Sequence, residues 1–418
     1  MNKKGLLLLS VLIISFVLSG CWNSRELNTL GISLIMGFDL EENGDILLTA
    51  EVIDPEPSTK GLGELETSYV QGRGKTIVDA GRDITLKFDR ALFGSHSRVF
   101  IFGEEIGKSE IIEYMDFFKR YDEPRETTYL LIAKDSKAYE IMGIAAGIED
   151  VPANYVTQLV ENKKVNGKTV DVDILDFMKY YYEEGSQPVV GVIERKTRNE
   201  IKRVDVSQPK KPYELSVEGA TVFKEGMIVG YLNGNETRGF NFITGEIKGG
   251  LIQFPTPHID ADEHTLPTPK AECEIGDSKN MNYEATLVEI IKSKTKRDVE
   301  VKDGKIIFKI KVVLKGSVAE VVGDIGISRK AVIESLEEAC SEEVKNEMEK
   351  VINKAQKEFK VDIFKSASLF HRKYPEKWDE IKDDWGDIFP ETEFQVEVET
   401  SILRTGLTNT PTIKVKGE

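Results

Sequence analysis

Apolar residues recur along the chain with two different spacings, and these spacings predict its strands and helices. Residues 306–314 carry apolar side chains at every second position with lysines between them, which predicts a strand with one buried face. Residues 328–360 repeat apolar side chains at spacings of three and four, which predicts a long amphipathic helix. The apolar positions of this helix are Ile333, Leu336, Cys340, Val344, Met348, Val351, Ala355 and Phe359. We expect them to pack on the sheet, and a docking helix for a partner is the alternative.

In the first half of the chain, predicted strands alternate with predicted helices. A hairpin turn at Asn43-Gly44 separates the first two strands. The strands are predicted at 34–36, 46–52, 68–72, 98–102, 127–133 and 188–194, and the helices at 76–88, 109–120, 136–142, 152–161 and 172–182. This order predicts an α/β domain in which helices cover a sheet.

The second half has a different pattern. Short strands are predicted at 215–223, 227–232, 240–243, 285–293, 299–301, 306–314 and 391–403, and a proline-rich loop at 251–270. Asp303-Gly304 predicts a hairpin turn, and the polar stretch 195–212 predicts a linker. The predicted fold class is therefore α+β and multi-domain. The predicted parts of the chain are a signal peptide at 1–20, an N-terminal α/β region at 21–194, the linker at 195–212, and a C-terminal domain at 213–418. In the last of these, one long helix packs on an antiparallel sheet.

The N-terminus carries a targeting signal. Lys3 and Lys4 precede an apolar run at 6–18 that is too short for a comfortable membrane span. The run ends in Leu18-Ser19-Gly20-Cys21, which resembles the lipobox of bacterial lipoproteins. That resemblance implies cleavage before Cys21, whose thiol carries a diacylglycerol and whose amine carries a palmitoyl chain. The alternative is an uncleaved helical anchor in which Cys21 is incidental.

Charge and cysteine content narrow the function. The chain has 72 acidic and 56 basic residues, a net charge of −16, and removal of Lys3 and Lys4 with the signal makes it −18. This balance argues against nucleic acid as a partner, which selects basic surfaces. Only Cys273 and Cys340 remain after Cys21, so we predict no disulfide framework, and a pairing of the two stays open. The chain has no C-x-x-C motif.

No catalytic motif is recognisable. The sequence lacks the G-x-S-x-G, P-loop and H-E-x-x-H patterns. Gly72-Arg73-Gly74 before a helix superficially resembles a phosphate-binding turn, but we interpret it as a tight turn. His258 and His264, with acidic residues between them, are the candidate metal ligands. Their spacing matches no closed site, and the flanking prolines predict an exposed loop.

The order of several motifs resembles the Ger(x)C family of spore germination lipoproteins, the C subunits of nutrient germinant receptors. The resemblance begins with the lipobox followed by Trp22 and runs over essentially the whole chain; Asn23 departs from it, since the family often carries aspartate there. The segments that carry it are 18–27, 31–39, 74–82, 96–104, 285–321, 362–385 and 396–406. It implies a thioredoxin-like portion near the N-terminus.

The resemblance also implies a location and partners. The protein would be anchored by Cys21 to the outer face of the spore inner membrane. It would assemble with two integral-membrane subunits, one of them transporter-like, and respond to nutrients without an enzymatic activity or a cofactor.

Two other functions stay open. A substrate-binding lipoprotein of a transporter would have two similar α/β lobes around a cleft. An envelope hydrolase would need a pair of carboxylates brought together by folding.

Overall fold

The computed structural model describes Gly5, Glu26, Thr29 and residues 30–53, 67–121, 123–144, 151–197, 213–257, 284–322 and 330–404. Within these ranges the strands form two sheets, one of nine strands and one of four. The mixture of helices and two sheets confirms the predicted α+β fold class. The thioredoxin-like character of the first half stays a prediction.

The first sheet has parallel strands at its centre and antiparallel strands at both sides. Its strands are β1 Leu30–Leu40, β2 Ile46–Ile53, β3 Thr67–Gly74, β4 Ala91–Phe93, β5 Val99–Gly103, β6 Tyr129–Ala133, β7 Val189–Thr197, β8 Tyr213–Lys224 and β9 Met227–Leu232. The order is β3-β2-β1-β5-β6-β7-β8-β9, with β4 beside β1. Strands β1, β5, β6 and β7 are parallel, which requires the helical crossovers that the alternating pattern predicts.

Helices cover both faces of this sheet. They are α1 Ile77–Ile84, α2 Glu104–Lys108, α3 Ile111–Arg120, α4 Ala138–Ile141, α5 Pro152–Glu161, α6 Lys163–Asn166 and α7 Ile174–Tyr182. Apolar side chains of α1, α3 and α7 pack with Phe38, Phe100 and Phe102 on one face, and those of α4 and α5 pack on the other. Because both faces are covered, the central strands read as continuous apolar runs.

Gly72 and Gly74 lie in β3, so the predicted tight turn is wrong. A Cβ atom added at Gly72 would stand 2.0 Å from the backbone oxygen of Ala80, and one at Gly74 would stand 2.5 Å from the Ala80 nitrogen. The two glycines therefore let α1 lie directly on the strand. Thr76 caps this helix, since its Oγ1 accepts a hydrogen bond of 3.1 Å from the Asp79 amide.

The second sheet packs against one long helix. Its strands are β10 Leu251–Pro255, β11 Ala285–Lys302, β12 Lys305–Val322 and β13 Glu393–Arg404. The helices of this half are α8 Gly234–Thr244, α9 Lys330–Asn353 with a π-helical turn at Lys354–Phe359, α10 Ser366–Lys373, α11 Pro375–Ile381 and α12 Trp385–Ile388; 3₁₀ turns lie at Lys382–Asp384 and Phe389–Glu391. Leu336, Cys340, Val344 and Met348 of α9 are fully buried, which confirms the predicted packing face.

Three features of this half differ from the sequence-based prediction. Residues 240–243 belong to α8, because a capping box between Asn233 and Glu236 and burial outweigh the strand preference of the aromatic residues. Residues 251–255 form the edge strand β10, whose last residue Pro255 needs no ladder hydrogen bond from its nitrogen. Strand β13 runs parallel to β12, because α9 forms a crossover between them.

Strands β8 and β9 belong to the first sheet, although the sequence analysis assigns them to the C-terminal region. The β7–β8 pairing extends from Val189 opposite Val222 to Thr197 opposite Tyr213. The first sheet thus continues past the predicted linker at 195–212, and a domain boundary in that linker stays a prediction.

Glu51 of β2 is fully buried and predicts a pH-dependent stability. It accepts a hydrogen bond of 3.1 Å from the Ala153 amide at the start of α5, and burial raises the pKa of its carboxyl to about 7. Because the folded pKa exceeds the unfolded value, ionisation costs stability progressively as pH rises from about 4.5 to 7. We expect Glu51→Gln to be more stable than the wild type above pH 7, by up to about 3 kcal/mol, and to differ little at pH 4.

Urea unfolding at pH 4, 5, 6, 7 and 8 measures this difference. Glu42→Gln, in the exposed β1–β2 turn, controls for the loss of one negative charge. A difference between Glu51→Gln and wild type that stays constant across this range would contradict the assignment.

Candidate functional site

The residues that sequence analysis singles out for chemistry lie outside the described ranges. Cys21, His258 and His264 all lie outside these ranges, so the lipid attachment and the metal ligands stay predictions. In the part of the chain that the structure describes, no group of three or more His, Cys, Asp or Glu side chains could hold a metal ion. No described helix is both long and apolar enough to cross a membrane.

Cys340 is a free thiol inside the core. Its side chain lies on the buried face of α9, where the spacing places it. Burial raises the pKa of the Cys340 thiol to about 12, so the group is a protonated, small apolar side chain at neutral pH.

A group of hydrogen bonds forms a junction between the first sheet and the C-terminal half. We define the junction as the loop of residues 183–188 between α7 and β7 together with the segments of the C-terminal half that it contacts. The Gln187 amide donates to the Asp362 carbonyl oxygen at 2.9 Å, and the Gln187 side-chain oxygen accepts from the Glu225 amide at 2.9 Å. Trp378 Nε1 donates to Glu184 Oε2 at 3.1 Å. The β8–β9 turn, this loop and α11 are therefore held together by hydrogen bonds.

Asp362 is the buried anchor of the junction. Its carboxylate accepts hydrogen bonds from the amides of Phe364 (2.9 Å) and Ala367 (2.8 Å), so it satisfies the free donors at the start of α10. Burial raises the pKa of this carboxyl, while the backbone donors and nearby Arg297 oppose that rise. Burial in turn lowers the pKa of Arg297, which donates to the Phe364 carbonyl oxygen. Both groups are committed to holding the backbone.

Two tryptophans seal this junction. Trp378 and Trp385 are 1% and 2% exposed, and their ring centroids are 5.3 Å apart. Gly185 lies against them with φ +73°, and a Cβ atom there would stand 2.6 Å from the Ala367 Cβ and 2.7 Å from Trp385 Cδ1. Both tryptophans thus pack in the interior, where their rings are closed to a partner surface.

A charged cleft opens beside the junction. Its volume is about 660 Å³. It is lined by Lys224 and Glu225 of the β8–β9 turn, by Gln356, Lys357 and Lys360 after α9, and by Asp383, Asp384, Gly386, Asp387, Pro390 and Glu391. Most of these side chains are exposed and of both signs, so the cleft suits polar contact with a partner surface.

Sequence reasoning missed the junction. Gly185 and Gln187 carry no motif, and their partners in the C-terminal half lie more than 170 residues further along the chain. One local signal existed: Asp362 precedes Phe364 by two residues, the spacing at which an aspartate bonds the backbone in an Asx-turn. The depth at which Asp362 is buried could not be read from that spacing.

Comparisons with known proteins define the class. A family model described as "Spore germination protein N-terminal domain" matches residues 23–195, and one described as "Spore germination B3/ GerAC like, C-terminal" matches residues 218–406. The two models together account for most of the chain. The protein belongs to the Ger(x)C family of spore germination proteins.

Individual relatives match along nearly the whole length. The chain is 26% identical to spore germination protein KC of Bacillus subtilis (strain 168), covering 98% of each chain, and 25% identical to spore germination protein B3 of the same organism, covering 93% of this chain and 95% of the relative. A solved structure, "Crystal Structure of the GerBC protein", matches with a TM-score of 0.54 and 19% identity, covering 88% of this chain and 96% of that one. This structural similarity supports the fold.

Proposed function

We propose that this chain is the lipid-anchored, non-enzymatic subunit of a nutrient germinant receptor in the spore inner membrane. The observation that carries the proposal is the full-length relationship to spore germination proteins in a chain whose N-terminus ends a short apolar run with Leu18-Ser19-Gly20-Cys21. The proposed partners are the bilayer, through diacylated Cys21, and two integral-membrane subunits, one of them transporter-like.

The proposed mechanism is positional. Two acyl chains hold a protein stably at a membrane, whereas one is marginal. Confinement beside the integral subunits raises the effective concentration of this subunit and so favours assembly. The junction supports such a role, because the Gln187 amide bonds the Asp362 carbonyl oxygen and Trp378 bonds Glu184, and both hydrogen bonds join the first sheet's half to the C-terminal half. Binding of one partner to the first sheet can then affect a second partner that is bound to the C-terminal half.

The alternative of a transporter's substrate-binding lipoprotein gains no support from the architecture. The described residues form two unlike halves, a mixed sheet with helices on both faces and a four-stranded sheet beside α9. A cleft between two similar lobes is the arrangement that the alternative requires.

Replacement of Cys21 tests the proposal. In Cys21→Ala spores we expect the protein to leave the membrane fraction and nutrient-triggered germination to fall by about ten-fold or more, because the gain in effective concentration is lost. Membrane fractionation and the optical-density loss of nutrient-treated spores measure the two effects. Mass spectrometry of the wild-type N-terminus should show the acylated cysteine.

Cys273→Ala is the matched control, since it removes a cysteine outside the lipobox. It should leave both membrane retention and germination unchanged. Normal retention and normal germination of Cys21→Ala spores would refute the anchor as the basis of function.

A further inference from the structure

The outer face of the second sheet carries an unusual row of lysines. Lys292, Lys294 and Lys296 alternate along β11, and the register places Lys315 opposite Lys292 and Lys311 opposite Lys296 on β12. Lys292, Lys294, Lys296 and Lys315 are exposed, whereas the opposite face of β12 packs on the core through Phe308, Ile310, Val312 and Leu314. We call the surface of Lys292, Lys294, Lys296 and Lys315 the basic face.

The arrangement opposes the stability of the sheet. Like charges placed directly opposite each other on neighbouring antiparallel strands repel, and Lys292–Lys315 and Lys296–Lys311 are both such pairs. A chain with a net charge of −16 has ample carboxylates to neutralise these positions. The Lys292–Lys315 pair has no compensating ion pair among the described residues, and such an arrangement, which works against the fold, is a candidate for function.

Two neighbouring lysines of the same sheet are neutralised, whereas those of the basic face are not. Lys311 Nζ lies 2.9 Å from Glu397 Oε1 and also pairs with Glu399 of β13, while Lys309 Nζ lies 2.7 Å from Glu300 Oε1. Among the described residues, Lys292, Lys294, Lys296 and Lys315 form no ion pair within 4.0 Å. Their charge is therefore available to an external anion.

Apolar side chains lie within the same surface. Val313, directly opposite Lys294, is 37% exposed, and Ile291 at the bulge of β11 is 47% exposed. Lysines around exposed aliphatic side chains are typical of surfaces that lie at the headgroup region of a bilayer, where the charges meet phosphates and the apolar groups enter the interface.

We propose that the basic face contacts the anionic headgroups of the membrane and so orients the subunit on the bilayer. The inference rests on the lipid anchor of the proposed function, which keeps the protein near that surface. Because the chain has a net charge of −16, an anionic bilayer repels it on average and favours an orientation that brings a basic surface to the lipid. Four flexible ammonium groups on a strand face suit a diffuse layer of phosphates, since they lack the planar fork by which arginine recognises a defined carboxylate.

The experiment uses the mature diacylated protein on vesicles. Protein on phosphatidylcholine vesicles, with and without about 30% phosphatidylglycerol, is treated with a membrane-impermeant amine-acylating reagent, and each lysine is quantified by mass spectrometry. We expect labelling of Lys292, Lys294, Lys296, Lys315 and neighbouring Lys309 to fall about three-fold or more with phosphatidylglycerol, and to recover in 0.5 M salt. Labelling of exposed Lys87 and Lys330, on α1's C-terminal side and on α9, should not change.

A variant carrying K292Q, K294Q, K296Q and K315Q should lose the phosphatidylglycerol-dependent protection of Lys309. A matched variant with glutamine at four lysines elsewhere (K75Q, K87Q, K119Q and K330Q) should retain it. Circular dichroism and urea unfolding establish that both variants are folded, and relief of lysine repulsion should leave the first at least as stable as wild type.

The outcomes separate the two proposals. Flotation of the protein with pure phosphatidylcholine vesicles reports the lipid anchor. A protein that does not float with these vesicles would contradict both the proposed function and the membrane contact of the basic face. Flotation with equal labelling on both vesicle types overturns the basic face alone. Protection that appears only when the integral receptor subunits are present also overturns it, in favour of an acidic protein surface.

Discussion

Glu347→Ala is expected to lower the free energy of unfolding by about 3–5 kcal/mol, because it leaves the Arg238 guanidinium charged and unpaired inside the protein. Arg238 and Glu347 are 4% and 1% exposed. Arg238 Nε donates to Glu347 Oε2 at 2.9 Å, and its Nη2 donates to Oε1 of the same carboxylate. This bidentate pair joins α8 to α9 in the centre of the C-terminal core.

The pair also fixes the edge of the second sheet. Arg238 Nη1 donates to the Leu251 carbonyl oxygen of β10. The adjacent Gly239 lets the two helices meet, since a Cβ atom there would stand 2.4 Å from the Glu347 carbonyl oxygen. Loss of Glu347 should therefore loosen α8, α9 and β10 together, with the first sheet less affected.

Urea unfolding of Glu347→Ala and of a double variant measures the effect. The double replacement Arg238→Met with Glu347→Leu removes both charges and should recover most of the loss, because apolar residues of similar size can replace a buried ion pair. Asp116→Ala, which breaks the exposed Arg120–Asp116 pair on α3, is the control and should cost about 1 kcal/mol or less. A similar small cost for Glu347→Ala would show that solvent reaches the Arg238 charge.

Trp378→Ala is expected to lower the free energy of unfolding by about 3–5 kcal/mol. It should also weaken the contact between the loop 183–188 and the C-terminal half. The indole is 1% exposed, lies 5.3 Å from the Trp385 ring, and stacks on His371 with centroids 5.7 Å apart. Its removal leaves a cavity beside Gly185 and leaves the Glu184 carboxylate without the Nε1 donor. Both effects act at the contact between the two sheets.

Trp378→Phe is the matched control, because it keeps an aromatic ring and removes the donor. It should cost clearly less than the alanine variant. Native-state hydrogen exchange gives the specific readout. Relative to wild type, Trp378→Ala should accelerate exchange of the Gln187 amide, which bonds the Asp362 carbonyl oxygen, more than it accelerates exchange of the β5 amides. Equal acceleration at both places would mean that the change is a global loss of stability and that the junction has no separate role.

Much of the fold follows from periodicity. The predicted strands of the first half, the helix at 152–161 and the turn at Asp303-Gly304 all appear in the structure. These elements have strong local signals: apolar runs, a proline at the first helical position, and residues that tolerate positive φ. Where local preference and tertiary packing disagree, packing decides, as at 240–243, which form a helix despite their aromatic character.

The junction could not be predicted from the chain alone. Gly185, Asp362 and Trp378 are ordinary residues in the sequence, and each acquires its role through a neighbour brought near by folding. The basic face is similar: alternating lysines predict one exposed side of a strand, but only the β11–β12 register places lysine opposite lysine.

By itself, the sequence predicted lipid attachment at Cys21, the alternation of strands and helices, and the long amphipathic helix. It also carried the resemblance to a germination family. Each of these follows from a pattern that is local or ordered along the chain. Only the tertiary structure decided that β8 and β9 extend the first sheet, that β13 runs parallel to β12, and which charges are paired, buried or left to solvent. The physical reason is that pairing register, burial and charge compensation depend on distances between residues far apart in the chain, and these exist only after folding.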